Sequence, residues 1–385
     1  MADDVDLLIL GGGCAGLSLA RELAAFGPRS PSTCIIEQRA QYENDRTWCF
    51  WGHDLALLPE LVEHRWPRVQ LRSRKEVVTF ECGNHPYCMI SAGRFYADAF
   101  EKLARVRQIR LEKAVTVLST PRLSDGLWKV ETSAGTRRAR WLVDTRPGPM
   151  PLSAPEAPVL WQSFLGQEIV CEAPVFDPVC ATLMDFIVDG TDRVVFAYVL
   201  PLSSTRALIE LTVFAEAPVT PAELLAPLQE QIRMRTRQQA HAVVRTEQGI
   251  LPMGLGLKTE RTQVRHLQVG LMHGGARAST GYAFQRIQRW AKQGAAQLVA
   301  GTPLTGHRAD RPLIRWMDGL FLSLLRDRPH SAPGLFLSMF ERSNPAALMR
   351  FLSDDASMRD LLRIVTALPA QPFIRQIGRG LRLAG

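Results

Sequence analysis

The sequence has no stretch of about 18 or more apolar residues, so no segment reads as a helix that spans a bilayer. It has no Cys-x-x-Cys pair and no Cys/His spacing of the zinc-site kind, which excludes a metal centre and a thioredoxin-like motif. The seven cysteines, at 14, 34, 49, 82, 88, 171 and 180, are odd in number and scattered. They predict free thiols in a reducing cytoplasm. The start, Met1-Ala2-Asp3-Asp4, is acidic and runs straight into an apolar strand, unlike a secretory leader. Internal repeats and low-complexity tracts are missing too. No Lys/Arg run is interleaved with stacking aromatics and no nucleic-acid motif occurs, which excludes nucleic acid as a partner.

What is present is an ordinary globular composition, 46% hydrophobic and 22% charged, over 385 residues. That length predicts two domains, or one large α/β domain carrying an insertion. The net charge is +8, mostly from Arg, and the Arg become dense toward the end at 375, 379 and 382. Solvated arginine and attraction to an anionic membrane surface both fit this charge. The sequence carries no signal for a particular oligomeric state.

Residues 5–10 form a short apolar run ending at glycine, as a buried parallel strand does. A helix follows from about Cys14 to Phe26, then a strand Thr33–Ile36 that ends at Glu37. Later runs at 115–118, 128–132 and 141–145 read as strands, and a Pro-rich passage, 147–158, reads as a linker. Beyond it, strands dominate to about 265, residues 268–299 read as strand, turn and helix, and the last part is helical and amphipathic. The expected fold class is α/β. A Rossmann-type FAD-binding domain is expected over 1–150 and again over 266–310. An antiparallel β-rich substrate domain is inserted at 151–265, and a helical region follows at 311–385.

Gly11-x-Gly13-x-x-Gly16 fits the dinucleotide fingerprint. Gly11 allows the tight turn, Gly13 lets backbone approach a pyrophosphate, and Gly16 lets helix pack on strand. Amides at Cys14 and Ala15 would face the phosphates from the helix N-terminus. Glu37, about 20 residues on, is placed to bind ribose hydroxyls. The fingerprint alone fits NAD as well as FAD. The motif's early position and the late return at 268–299 favour FAD, with Gly274, Gly275 and Ala276 expected at the returning turn.

Further blocks resemble the bacterial lycopene β-cyclases, flavoproteins of carotenoid synthesis. The most specific is Asp45-Arg46-Thr47-Trp48-Cys49-Phe50-Trp51. Others are Gln162–Gly166, Met184-Asp185-Phe186, Ala197–Pro201, Glu247–Met253 and Gly275–Tyr282, in the expected order over nearly the whole chain. The resemblance implies cyclisation of lycopene and related acyclic carotenes without net oxidation. It also implies FAD in its reduced form, with NAD(P)H as reductant. Arg46 is then expected beside the cofactor, and Trp48, Phe50, Phe186 and Tyr198 around the substrate.

The family carries a Glu-acid-Thr segment on a strand, matched here by Glu210-Leu211-Thr212. Alternation places Leu208, Glu210, Thr212 and Phe214 on one face, where a lone carboxyl among apolar neighbours keeps its proton. Leu211 stands where a second acid is usual. Glu210 is therefore the expected catalytic acid and Asp185 the second candidate; a solvent-facing Glu210 and an Arg-bonded structural Asp185 are the alternatives. Arg277 is a further candidate near phosphate or flavin. The amphipathic stretches 313–325 and 333–351 are expected either to lie in a membrane interface or to pack on the flavin domain. The first would make the protein peripheral at the cytoplasmic face of the cell membrane. Two other readings stay open: a redox flavin hydroxylase on the same scaffold, and a carotenoid-binding flavoprotein without catalysis.

Overall fold

The computed structural model describes residues 4–52, 58–148, 159–187, 192–254 and 264–383, with side chains up to 379. Most of the expected Pro-rich linker, from 149 to 158, lies outside the described residues.

The first sheet holds the fingerprint. Its parallel strands are β1 (Val5–Leu10), β2 (Thr33–Ile36), β8 (Ile109–Glu112), β11 (Gly135–Asp144) and the short β17 (His266–Gln268). The antiparallel β10 (Leu127–Thr132) and β9 (Arg122–Ser124) extend one edge. The apolar run of β1 is buried on both faces because it is central, with β2 and β11 as neighbours. Helix α1 (Cys14–Ala24) covers one face together with α4 (Phe284–Val299) and α2 (Ala92–Ala104). The expected strand at 115–118 is reduced to one bridge, Val117 to Thr132.

The second sheet is a wall of seven strands in the order β16-β12-β15-β14-β13-β5-β6. They are β16 (His241–Met253), β12 (Leu160–Cys171), β15 (Arg206–Ala215), β14 (Val194–Pro201), β13 (Cys180–Ile187), β5 (Arg68–Arg72) and β6 (Val77–Glu81). Residues 68–81 thus join the second sheet, although they were expected within the first domain. A small third sheet, β3 (Thr47–Trp51), β7 (Tyr87–Ser91) and β4 (His64–Trp66), connects the two.

Alternation gives the large sheet two apolar faces, each with its own cover. On one, Ile209, Leu211 and Val213 pack against Leu224, Leu228 and Ile232 of α3 (Pro221–Arg235). The other faces helices α5 (Pro312–Asp327), α6 (Ala332–Arg342) and α7 (Pro345–Leu352), with α8 (Met358–Ala367) and α9 (Ala370–Leu383) outside them. The stretch 333–351 is therefore core: Leu335, Leu337, Phe340, Leu348 and Met349 are buried there.

A group of ion pairs docks this helical tail: Arg286 of α4 bonds Asp310 (2.8 Å) and Asp354 (2.6 Å), and the most buried pair is Arg277 with Asp318. Arg277, 2% exposed, bonds Asp318 of α5 through Nε and Nη2 (both 3.2 Å) and donates to the Phe351 carbonyl (2.5 Å). Its guanidinium also lies over the Phe351 ring. Arg277 belongs to the packing of the tail, not to a phosphate or flavin site: Asp318 and Phe351 already take its donors. Removing one partner leaves the other charge buried, so Asp318→Ala is expected to cost about 3–5 kcal/mol. Urea denaturation followed by circular dichroism measures it; a loss below about 1 kcal/mol would mean the Arg277–Asp318 pair does not hold the tail.

Candidate active site

A single cavity of about 830 Å³ starts at Gly13, Cys14 and Ala15 and ends among α5, α8 and α9. At its first end the glycines do separate jobs. Gly11 has φ +95, and a Cβ on Gly16 would lie 2.0 Å from the Gly11 carbonyl oxygen, so both positions require glycine. A Cβ on Gly13 would meet nothing within 4 Å, because Gly13 faces open space. Helix α1 has no side-chain cap at Gly13, and its first residues line the cavity. Uncapped amides at a helix N-terminus that opens on a cavity suit a pyrophosphate.

Glu37 stands one layer further back than expected. Its Oε2 accepts from the Gly12 amide (2.7 Å) and its Oε1 from the Arg39 amide (2.8 Å), and the residue is 5% exposed. Arg39, paired with it, is the residue of the two that reaches the cavity. Burial opposes Glu37's charge, but the Arg39 and Gly12 hydrogen bonds outweigh it and hold the carboxyl below its usual range. Glu37 therefore braces the glycine turn. Arg46 does line the cavity, donating to the carbonyls of Gln248 (2.6 Å) and Asp45 (3.0 Å).

The returning turn is displaced relative to the sequence reading. After β17 the close approach is made by Gly270, φ +107, whose Cβ position lies 3.7 Å from that of Ala15. Gly270 and Leu271 line the cavity, as do Ser279 to Phe284, while Gly274, Gly275 and Ala276 do not. Gly275 sits behind, its amide bonded to the Gly270 carbonyl (2.9 Å). The strand ends at Gln268, earlier than its apolar pattern indicates, and this moves the turn forward. His307 fixes it by accepting from the Gly270 amide (3.1 Å). Burial pushes that imidazole down to about 4, with Arg286 and His273 adding to the effect, so its ring is the neutral acceptor the bond needs.

Along the wall, Leu208, Glu210, Thr212 and Phe214 all line the cavity, as alternation requires. Leu211 is on the opposite face at 1% exposure, under α3. An acid at 211 would project away from the cavity. The surface Glu210 retains lies inside the cavity, and Thr212 Oγ1 donates to its Oε1 (2.7 Å). Burial raises its carboxyl from 4.5 to about 8, and the nearby Glu247 adds to this, against the smaller opposing effect of Thr212.

Asp185 is not part of this site. A register shift in β13 after Thr182 puts Leu183 and Met184 on the cavity wall and turns Asp185 to the α3 side. There it accepts from Arg235 Nη2 at 2.6 Å. Phe50 is buried behind the wall, stacked on Phe284, and Phe186 packs behind Phe196 and Phe336. Trp48 and Tyr198 do line the cavity. The Tyr198 hydroxyl bonds that of Tyr87, next to Tyr282 and Cys49. Burial raises the first two phenols well above their ordinary value. Tyr87 and Tyr282 stand in blocks that resemble the family, Tyr87–Ile90 and Gly275–Tyr282, but the sequence gives them no role; the fold brings them to Tyr198. Glu247, inside the Glu247–Met253 block, is a further cavity acid, and the sequence gives it no role. Among the described residues no group of three or more His, Cys, Asp or Glu could hold a metal.

A model of the lycopene cyclase proteins matches residues 6–377. The chain belongs to the lycopene cyclase family. It is 28% identical over 393 residues to a lycopene beta-cyclase from Paracoccus sp., covering 96% of this chain and 95% of that one. It is also 27% identical over 404 residues to a lycopene beta-cyclase from Pantoea ananas, covering 97% of each. Among solved structures it resembles the flavin-dependent monooxygenase PieE, solved with FAD and substrate: TM-score 0.64, 13% identity, 96% of this chain and 72% of that. A geranylgeranyl bacteriochlorophyll reductase-like protein from Thermoplasma acidophilum superposes at TM-score 0.61 with 12% identity, covering 97% and 99%. At such identities these structures speak for the fold alone, a Rossmann-type FAD-binding architecture with a second, larger antiparallel sheet.

The Glu210 shift has a consequence for stability. Between about 4.5 and about 8 the folded protein keeps a proton that the unfolded chain releases. The group's stabilising contribution is therefore complete below that window and is lost as pH rises through it. The urea midpoint is expected to fall between about pH 5 and about pH 8 and to level off above it, and Glu210→Gln to flatten the fall. Parallel curves for the two proteins would contradict the assignment.

Proposed function

We propose that this family member cyclises the ends of lycopene into β-ionone rings, giving γ-carotene and β-carotene. FAD bound in its reduced form at the Gly11–Gly16 turn, with NAD(P)H as reductant, completes the enzyme. The observation that carries this reading is Glu210: a carboxyl group that keeps its proton near neutral pH, set in an apolar wall of the cavity that begins at the fingerprint.

The Glu210 hydroxyl gives its proton to the terminal double bond of the carotene end. The tertiary cation so formed is attacked by an internal double bond, and loss of a ring proton leaves the β-ionone ring. Phe164, Phe196, Phe214 and Trp48 line the space and present π faces rather than water to the cation. The Tyr87 and Tyr198 hydroxyls bond each other. When bound and reduced, FAD supplies a fixed negative charge, which counts for far more in a dry cavity than in water. Cys14 and Ala15 would meet its pyrophosphate, with Arg39, Arg46 and Gly270 along the same wall.

Bacteria that accumulate lycopene and express the chain are expected to turn to γ- and β-carotene. The purified protein is expected to do the same without oxygen once FAD is reduced chemically. Glu210→Gln should lower the rate by about 10²–10⁴-fold, the usual worth of a general acid. Unchanged lycopene would sink the reading, and a strict need for oxygen would favour the hydroxylase alternative.

A hydrocarbon substrate must come from lipid. No described helix is long and apolar enough to cross a membrane. Support for peripheral binding at the cytoplasmic face of the cell membrane comes from the far end of the cavity. There Trp316, Val365, Ile374 and Ile377 line the space yet are 40–66% exposed, beside exposed Leu362. Exposed Arg315, Arg363, Arg375 and Arg379 lie on the same helices, a pattern that suits anionic headgroups. The interfacial surface is thus α8, α9 and the start of α5, not the buried 333–351 stretch. Wild-type protein should pellet with phosphatidylglycerol vesicles at low salt, and Trp316→Ser with Leu362→Ser and Ile374→Ser should weaken this about tenfold or more. Absence of binding at low salt would refute it.

A further inference from the structure

Glu210 and Glu247 are far apart in sequence and neighbours in the sheet. Strand β12 runs between β15 and β16, and its Gly166 is registered with Glu210 on one side and Glu247 on the other. A Cβ on Gly166 would lie 3.2 Å from the Glu210 Cβ and 3.4 Å from its Cγ, so the glycine leaves open the space the Glu210 side chain occupies. Both acids line the same cavity.

Their partners differ. Thr47 Oγ1 donates to Glu247 Oε2 at 2.7 Å, and Arg245 Nη1 donates to the same oxygen at 2.5 Å. Arg245 also bonds Glu168 (2.6 Å), which is paired in turn with Arg206. Glu247, Arg245, Glu168 and Arg206 therefore alternate in sign and balance. Glu210 is the acid left over: among the described residues no cation pairs with it, and Thr212 is its hydrogen-bond donor. The other titratable groups facing this corner are Cys49 of β3, Tyr87 of β7, Tyr198 of β14 and Tyr282, all of which burial keeps protonated.

We infer that Glu210 and Glu247 form one acid pair across Gly166 that holds a single proton, with Glu247 as the positioning residue whose charge keeps that proton on Glu210. The inference rests on the cyclase reading for what the proton does. A like charge across one strand disfavours ionisation, and two carboxyl groups so placed divide into one acid and one anion. The chemistry balances inside the pair. The Glu210 O–H bond breaks as a carotene C–H bond forms; after ring closure a C–H bond of the cation breaks, and its proton returns to the pair. No oxidant or reductant is consumed.

Infrared titration of the full-length protein as purified tests the pair without turnover. A protonated-carboxyl band present at about pH 6 should vanish in Glu210→Gln and persist in Glu247→Gln. In Glu247→Gln it should titrate away at a pH lower by about one unit or more, and the alkaline limb of the cyclisation profile should move with it. Glu247→Asp, which restores the charge, should bring both back toward wild type. A packing role for Glu247 would change rate without moving either titration, so an unmoved band and limb would overturn the pair. Wild-type protein that leaves lycopene unchanged would instead defeat the cyclase reading, and the infrared titration would still decide the pair.

Discussion

A carboxyl group on the inner face of a buried sheet must either find a cation or keep its proton. Both solutions stand side by side here. Glu247 has Arg245 and Thr47; among the described residues Glu210 has Thr212, no cation, and a second acid across Gly166. The rest of the architecture serves to keep water from dissolving that difference. Helix α3 seals the back of the sheet, and the helical tail covers the front. Exposed to solvent, Glu210 would be an ordinary surface acid, ionised at neutral pH.

The tail is therefore part of the site even where it touches nothing reactive. Its inner helices supply apolar lining through Phe321, Phe336, Met339 and Phe340. It is fastened by Arg277, which belongs to the segment returning toward the first sheet, and by Arg286 of α4 through Asp310 and Asp354. The same returning segment supplies Gly270 beside Ala15 and Tyr282 beside Tyr87 and Tyr198. One stretch, 266–284, thus touches the glycine-turn end of the cavity, the acid corner and the closing helices. A change there is felt in all three.

Much of this was legible in the sequence, and the reasons are specific. The βαβ unit was readable because glycine turn, buried strand and helix are local features whose rules act over a few residues. The face of β15 was readable because alternation is a local rule too. Asp185 takes its alternative reading, an Arg-bonded acid, because a register shift in β13 breaks that rule, and nothing in Leu183-Met184-Asp185 announces the shift. Phe50 and Phe186 look like any pocket aromatic, and only packing order puts other rings in front of them. The 333–351 stretch was ambiguous in principle. An amphipathic helix shows an apolar face without saying whether protein or lipid covers it.

Leu211 shows most clearly how sequence adjacency misleads at a strand. Consecutive residues of a strand point to opposite faces, so two acids at 210 and 211 would never share one cavity. An acid at 211 would sit under α3, among Leu224, Leu228 and Ile232. The residue able to act with Glu210 is the one two strands away in register, reached through a glycine on the strand between. Glu247 was visible in the sequence, inside the Glu247–Met253 block, but only as part of a run of letters. Its bearing on Glu210 appears when β12 is laid between β15 and β16. For this site the informative spacing is a strand register and not an interval along the chain.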